Sequence, residues 1–400
     1  MPKQTSNFII GLLVFAFVAV FTSQSLVDLS DILIVVFAGY LAYQNREIRV
    51  FFRGLKPALL WPVWLAVIVL GLGLNVGFSS LYAWTDLTEF KWIISFLSLI
   101  YLAKHVSDHS KFFVAVSGVL LLLNAASIIL FVWQVHPRAG GIFDAVMAFS
   151  HNIAPIFSLY SVYTFVNWAA LENKMRILFV GVAMTAALLT ILTFTRGVWI
   201  GSFLSIGVVL LIWNFKTAIK FVLMICVGCA ILVATNQSIQ NRVFAKTVHE
   251  SNSNNERLYL WKANWRIVED HPVLGVGFGQ NRNYLRKYYD EMGFPADLII
   301  SHAHNQYLQL WAGTGTLGLL CFLFFLFAIF RMAWAGFKNS IGKQRGLMLG
   351  LVAGLLCFSI GALTEANFNI SKNRFLFLML AGLAIGFSTP KVLKTEKVAL

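Results

Sequence analysis

The segment Ser301-His302-Ala303-His304-Asn305 holds the residue types in this sequence that are best suited to chemistry. A neutral imidazole can accept a proton from a hydroxyl group, so His304 is the candidate general base. His302 and Asn305, which lie close to it, are candidate substrate-binding residues. The alternative is that His304 marks a helix N-terminus and is solvated by water or lipid headgroups.

Two arginines are candidates for holding a phosphorylated substrate. Arg196 lies in a very short connection between two apolar runs, and Arg257 opens a polar helical pattern. A guanidinium fork matches phosphate oxygens, so the pair would bind a diphosphate and stabilise its charge as it leaves. Taken alone, Arg196 could equally be an interfacial side chain that contacts lipid phosphate. Arg266 is a further candidate for substrate binding, and Arg266, Arg282 or Arg286 could replace Arg257 in the second basic role.

Metal and cofactor chemistry is not expected from these patterns. His302 and His304 could act as paired ligands, but no acidic pair and no Asp-x-Asp pattern lies near them in the sequence. All four cysteines fall inside apolar runs, so Cys226-x-x-Cys229 is more typical of a buried helix than of a zinc site. We therefore predict no metal site and no cofactor.

The elements that must position these residues are membrane helices. The 400 residues are 58% hydrophobic and only 12% charged, whereas soluble domains carry roughly 25% charged residues. A spanning helix needs about 20 apolar residues. The fold class predicted is all-α, a polytopic membrane protein forming one domain over residues 1–400. About twelve transmembrane helices are predicted, near 8–23, 29–44, 58–76, 90–103, 112–134, 147–168, 177–194, 198–213, 221–235, 305–330, 346–363 and 375–389.

One long polar segment, residues 237–304, interrupts the apolar runs. A capping-box pattern, Ser253-x-x-Glu256, precedes apolar residues at helical spacing, which predicts an amphipathic helix over about 254–270. Lys and Arg concentrate in alternate short loops, most strongly over residues 45–56, so that side is predicted to be cytoplasmic and 237–304 to lie outside. The net charge of +14 is explained by those loops, which favours membrane lipid over nucleic acid as the partner.

Glycines recur on both sides of the candidate base. Gly275, Gly277 and Gly279 do not form the dinucleotide-binding pattern, and they predict a tight turn between helices. Gly313, Gly315 and Gly318 are predicted to allow close approach of another helix.

The pattern His304-Asn305, nine residues, Gly315, two residues, Gly318 resembles the signature of the bacterial O-antigen ligase family. Thr195-Arg196-Gly197, Arg257-x-x-x-Trp261 and the run 271–277 extend this resemblance. It covers essentially the whole chain and is most specific over residues 196–318.

The resemblance implies a GT-C-like membrane glycosyltransferase that is metal-independent and inverting. It implies a place in the inner membrane of a Gram-negative cell, with the active site on the periplasmic side. The substrates would be O-antigen on undecaprenyl pyrophosphate and a sugar hydroxyl of lipid A-core. His304 would be the general base, while Arg196 and Arg257 would bind the pyrophosphate.

Two other functions stay open at this point. An O-antigen polymerase would use the same donor chemistry with a second lipid-linked glycan as acceptor. A flippase or transporter is the other alternative, but carriers tend to place ionisable groups at mid-membrane, and here the charges collect at the ends of the apolar runs. His151-Asn152, at the start of another run, could line the cleft or lie at the membrane interface.

Overall fold

The computed structural model describes residues 3–47, 91–133, 138–141, 146–235, 237–244, 248–295 and 301–388. In these ranges the chain forms helices and no strand. The α-helices are α1 (Lys3–Val20), α2 (Gln24–Gln44), α3 (Lys91–Lys104), α4 (His109–Val132), α5 (Val146–Asn167), α6 (Asn173–Leu192), α7 (Arg196–Trp213), α8 (Phe215–Thr235), α9 (Gln237–Phe244), α10 (Val248–Asp270), α11 (Asn281–Glu291), α12 (Gln306–Asn339), α13 (Gly342–Gly361) and α14 (Ser371–Ser388). Short 3₁₀ helices cover Trp168–Ala170 and Asn367–Asn369.

Seven of the described helices, namely α1, α2, α4, α6, α7, α12 and α13, are long and apolar enough to cross a membrane. The chain is therefore an all-helical, polytopic membrane protein. Helices α3, α5, α8 and α14 occupy four further predicted spans, and the predicted span at 58–76 lies outside the described residues. The total of twelve spans stays a prediction.

Helices α5, α13 and α14 form the centre of the bundle, since nearly every side chain on them is buried. Small residues let these helices pack closely. A Cβ on Gly354 would lie 3.1 Å from the Pro155 carbonyl of α5, and one on Gly201 of α7 would lie 3.1 Å from the Cys357 carbonyl. This packing fixes the C-terminal end of α13, and with it the turn that carries Glu365.

The polar segment 237–304 has a small core of its own. Leu260 and Ile267 of α10 pack with Leu285 and Tyr288 of α11, and burying such side chains contributes about 1.5–3 kcal/mol each. Asn281 joins this core to the bundle, because its amide donates to both Asn264 Oδ1 and the Gln309 carbonyl. Helix α10 is therefore held against the first turns of α12.

Helix α12 is broken at Gly315, where φ is +64°. The segment after Pro272 packs against this break through backbone hydrogen bonds, from Val276 to the Ala312 carbonyl and from Thr316 to the Pro272 carbonyl. The element that packs closely against Gly313 and Gly315 is thus this loop, whereas the sequence predicted a helix there. The loop satisfies the carbonyl and N–H groups that the break releases from the helical pattern.

Candidate functional site

His304 and Glu365 form the centre of the candidate site. His304 Nδ1 lies 3.0 Å from Glu365 Oε2. Because a carboxylate only accepts, Nδ1 carries the proton in neutral His304 and the Nε2 lone pair is left available. Glu365 is buried, at 2% exposure, whereas His304 is partly open. This arrangement suits a base that is oriented by a buried carboxylate.

The backbone around His304 is held in a strained conformation. His304 has φ of +46°, which costs a residue other than glycine about 1–3 kcal/mol. Its neighbour Ala303 is fixed on two sides, because its N–H donates to Gln309 Oε1 and its carbonyl accepts from Trp261 Nε1, both at 2.8 Å. Asn305 caps α12 through its side-chain oxygen, which accepts from the Leu308 N–H. These contacts hold the imidazole of His304 toward Glu365.

Glu365 is a charged group despite its burial. Burial raises the pKa of this carboxyl, but the hydrogen bond from His304 and the charges of the surrounding histidines outweigh that effect and lower the pKa to about 2. His302 Nδ1 lies 3.3 Å from Glu365 Oε1. Burial lowers the pKa of His302, although Glu365 acts in the opposite direction. At neutral pH a fixed negative charge therefore lies behind His304.

Arg257 reaches the same carboxylate. Its Nη2 lies 4.0 Å from Glu365 Oε2, which is ion-pair range but longer than a hydrogen bond. The side chain is 31% exposed, so the guanidinium can bind a ligand from the open side of the site. Two of the three candidate catalytic residues, Arg257 and His304, thus lie at the Glu365 carboxylate.

Arg196 lies close in the fold to the turn that carries Glu365. It is the first residue of α7, and the next residue, Gly197, packs directly on the Thr364 side chain, which a Cβ would overlap. Arg138 supports the turn before α7, donating to the Thr193 carbonyl and to Thr195 Oγ1. The start of α7 therefore lies beside the chain segment that carries Glu365.

Arg266 and Arg286, two of the other arginines considered for the second basic role, contact residues of their own helices. Arg266 pairs with Glu269 and Asp270 of its own helix at 3.0 and 3.9 Å, so acidic neighbours already balance its charge. Arg286 lies over the ring of Tyr289 on α11. Of Arg257, Arg266 and Arg286, Arg257 is the best placed for the second basic role, because it lies in ion-pair range of Glu365.

His151 is buried inside the bundle, at 2% exposure, and does not line an open cleft. Its ring lies beneath Gly361, within 4 Å of the position that a Cβ there would take, and the Asn367 amide lies equally close to that position. His151 is therefore one of the residues that surround Glu365.

A groove of about 770 Å³ opens beside His304. It lies between α10 and the start of α12, and its walls are largely apolar, with Trp261, Trp265, Trp311 and Leu308 facing it. Its polar lining residues are Lys262, Arg266, Glu269 and Asn305. Its volume is that of a small-molecule or lipid-chain site.

Residues 181–323 match the family model described as O-antigen ligase. The chain therefore resembles the O-antigen ligase family over about a third of its length. No curated protein sequence matches it. The matched segment includes Arg196, Arg257, His302 and His304, so it supplies most of the candidate site.

Glu365 lies beyond the matched segment 181–323, and the sequence alone did not indicate a role for it in the site. The available signal was weak, because Glu365 is a single acidic residue in a short connection between two apolar runs. Only the packing of α13 against α5 and α7 brings that connection to His304. No acidic residue lies near His302 and His304 in the sequence, but in the folded protein Glu365 lies beside both.

Proposed function

We propose that this protein is an O-antigen ligase. It transfers O-antigen from undecaprenyl pyrophosphate to a sugar hydroxyl of lipid A-core, on the periplasmic face of the inner membrane of a Gram-negative cell. The observation that carries the proposal is the convergence of His304 and Arg257 on the buried carboxylate of Glu365. The match of residues 181–323 to the O-antigen ligase model supports the substrate class.

In the proposed reaction His304 acts as general base on the acceptor. Its Nδ1–H is held by Glu365, so Nε2 takes the proton from the acceptor hydroxyl while that oxygen attacks the anomeric carbon. The bond from that carbon to the phosphate oxygen breaks, and the pyrophosphate leaves with the electron pair. The fixed charge of Glu365 stabilises the imidazolium that forms.

The arginines act on the leaving group. Arg257 lies in ion-pair range of Glu365, and Arg196 begins the helix that packs beside the Glu365 turn, so we expect both guanidinium groups to contact the diphosphate. Charge-assisted contacts of this kind stabilise the negative charge that develops on the departing pyrophosphate. This role needs no metal ion, in keeping with the metal-independent transfer that we propose.

The groove beside His304 is suited to the lipid part of the donor. In a polyprenyl pyrophosphate the hydrocarbon chain is joined directly to the diphosphate, so a site for the chain must adjoin the reacting centre. The apolar walls formed by Trp261, Trp311 and Leu308 meet that requirement. Lipid A-core places several sugars between its acyl chains and the acceptor hydroxyl, so its chains would lie elsewhere.

The proposal is tested in a strain that lacks this chain, complemented with wild type or His304→Ala. Lipopolysaccharide is separated by gel, and lipid-linked glycan is extracted alongside, with membrane levels of each protein measured by immunoblot. The ligase is supported if His304→Ala loses the long ladder while long polymer accumulates on the lipid carrier. Single O-units on core would instead indicate a polymerase, and an unchanged ladder would contradict a transferase role for His304.

A further inference from the structure

The side chains around Glu365 form a set of metal-ligating groups. His302 Nδ1 and His304 Nδ1 lie 3.3 and 3.0 Å from the two carboxylate oxygens of Glu365. One ligand atom from each residue lies within 4.8 Å of the others. Two imidazole nitrogens and one carboxylate oxygen are the ligands that zinc commonly takes when a further position stays open.

The spacing of these atoms suits a first-row transition metal. Zinc lies about 2.0–2.2 Å from nitrogen and oxygen ligands, so ligand atoms around a tetrahedral ion are roughly 3.3 Å apart. The two histidine nitrogens lie 3.3 and 3.0 Å from different oxygens of Glu365, and one ligand atom from each residue lies within 4.8 Å of the others, so small side-chain movements would bring the three around one ion. The two rings also lie side by side, with centroids 4.2 Å apart.

The ligands are organised before any ion binds. His304 has a strained positive φ, and at this turn of the backbone the side chains of residues 302 and 304 both lie beside the Glu365 carboxylate. Ala303 between them is fixed by Gln309 and Trp261, and Glu365 Oε1 accepts from the N–H of Ala366. Such preorganisation lowers the ordering cost of binding.

The set is also accessible. The side chains of His302 and His304 are 36% and 24% exposed, while Glu365 is 3% exposed. An ion held by the three residues would thus have one side open to water. Arg257 is a nearby positive charge that opposes an ion, and its Nη2 lies 4.0 Å from Glu365 Oε2, beyond hydrogen-bond range.

We propose that His302, His304 and Glu365 bind a divalent transition metal ion, with zinc as the representative case, and that binding inhibits the enzyme. The inhibition rests on the proposed function, whereas the binding does not. A neutral histidine that gives its Nδ1 lone pair to a metal carries its proton on Nε2. Metal binding therefore moves the His304 proton from Nδ1 to Nε2 through solvent, and Nε2 can no longer accept a proton from the acceptor.

Binding is tested on the purified full-length protein in detergent, using zinc calorimetry and the visible absorption of added Co²⁺. Wild type is expected to bind one ion per chain, and His302→Ala to weaken binding about tenfold or more, as loss of a ligand should. His302→Gln, checked for folding by size-exclusion chromatography, serves as the second variant. His105→Ala is the matched control, because His105 Nε2 faces Glu47 at 3.6 Å with no second histidine in that pair.

Inhibition is tested by zinc titration of O-antigen transfer, followed by a chelator. We expect zinc to stop transfer by wild type, the chelator to restore it, and the residual activity of His302→Ala to need about tenfold more zinc. No binding by wild type, or equal binding by His302→Ala, would overturn the site. Binding without inhibition would overturn the inhibitory role, whereas failure of the zinc-free protein to transfer glycan would count against the proposed function alone.

Discussion

The Val273 carbonyl occupies the space that a Cβ on Gly315 would fill. This contact couples the loop after α10 to the break in α12, and so couples the helix that carries Arg257 to the helix that follows His304. Gly315 also has φ of +64°, a backbone conformation that residues other than glycine rarely adopt. Two independent requirements therefore demand glycine at this position.

We expect Gly315→Ala to destabilise the protein and to reduce O-antigen transfer. The backbone strain alone costs about 1–3 kcal/mol, and the overlap with Val273 must also displace the loop. Thermal unfolding in detergent and the lipopolysaccharide ladder are the measurements. Gly207→Ala in α7 is the control, because a Cβ there meets nothing within 4 Å. Equal losses in the two variants would mean that the contact with Val273 has no special importance.

Arg196→Lys is expected to lower transfer roughly tenfold or more although the positive charge is kept. Lysine offers a point charge in place of a fork that contacts two phosphate oxygens. Transfer rates should be compared at matched protein levels, with Arg176→Lys as control, since Arg176 is partly exposed and donates to the Trp168 carbonyl, away from the candidate site. A near-normal rate for Arg196→Lys would argue against a role for this residue on the diphosphate.

The helices were largely predictable from sequence, because apolar runs of spanning length leave few alternatives. The described helices cover eleven of the twelve predicted runs, with boundaries displaced by a few residues, as at α1, which ends at Val20. The break at Gly315 was not predicted, because a helical run with glycines has the same hydrophobic pattern whether it is straight or broken.

The candidate site was only partly predictable for a different reason. His304, Arg196 and Arg257 have residue types that suggest chemistry on their own. The role of Glu365 depends on tertiary packing, because it lies 61 positions after His304 in the sequence and no local pattern marks the pair. Arg266 shows the reverse case, as its type suggested phosphate binding but its acidic neighbours on α10 balance its charge.

Glu365→Gln should reduce transfer roughly 10²-fold or more while the fold is kept. A glutamine oxygen can still accept from His304 Nδ1, but it supplies no charge to stabilise the imidazolium, and its amide can select the wrong tautomer. The turnover number should fall more than the affinity for the lipid-linked donor. Glu291→Gln is the control, because Glu291 pairs with Lys287 on an exposed face outside the groove. Unchanged turnover would contradict a positioning role for Glu365.

The stability difference between wild type and Glu365→Gln should depend on pH in one direction. The pKa of Glu365 is lowered in the folded protein from its ordinary 4.5 to about 2, so its stabilising effect is full above about pH 4.5. Below that pH the unfolded chain binds a proton that the folded chain does not, and the stabilisation is lost as the pH falls toward 2. Thermal unfolding of both proteins from pH 5 to pH 3 should therefore show a gap that narrows as the pH falls below about 4.5. Glu269→Gln, with a half-exposed carboxylate, should show a small gap throughout. A Glu365→Gln gap that widens with acid would mean that Glu365 is not held as a carboxylate by the histidines.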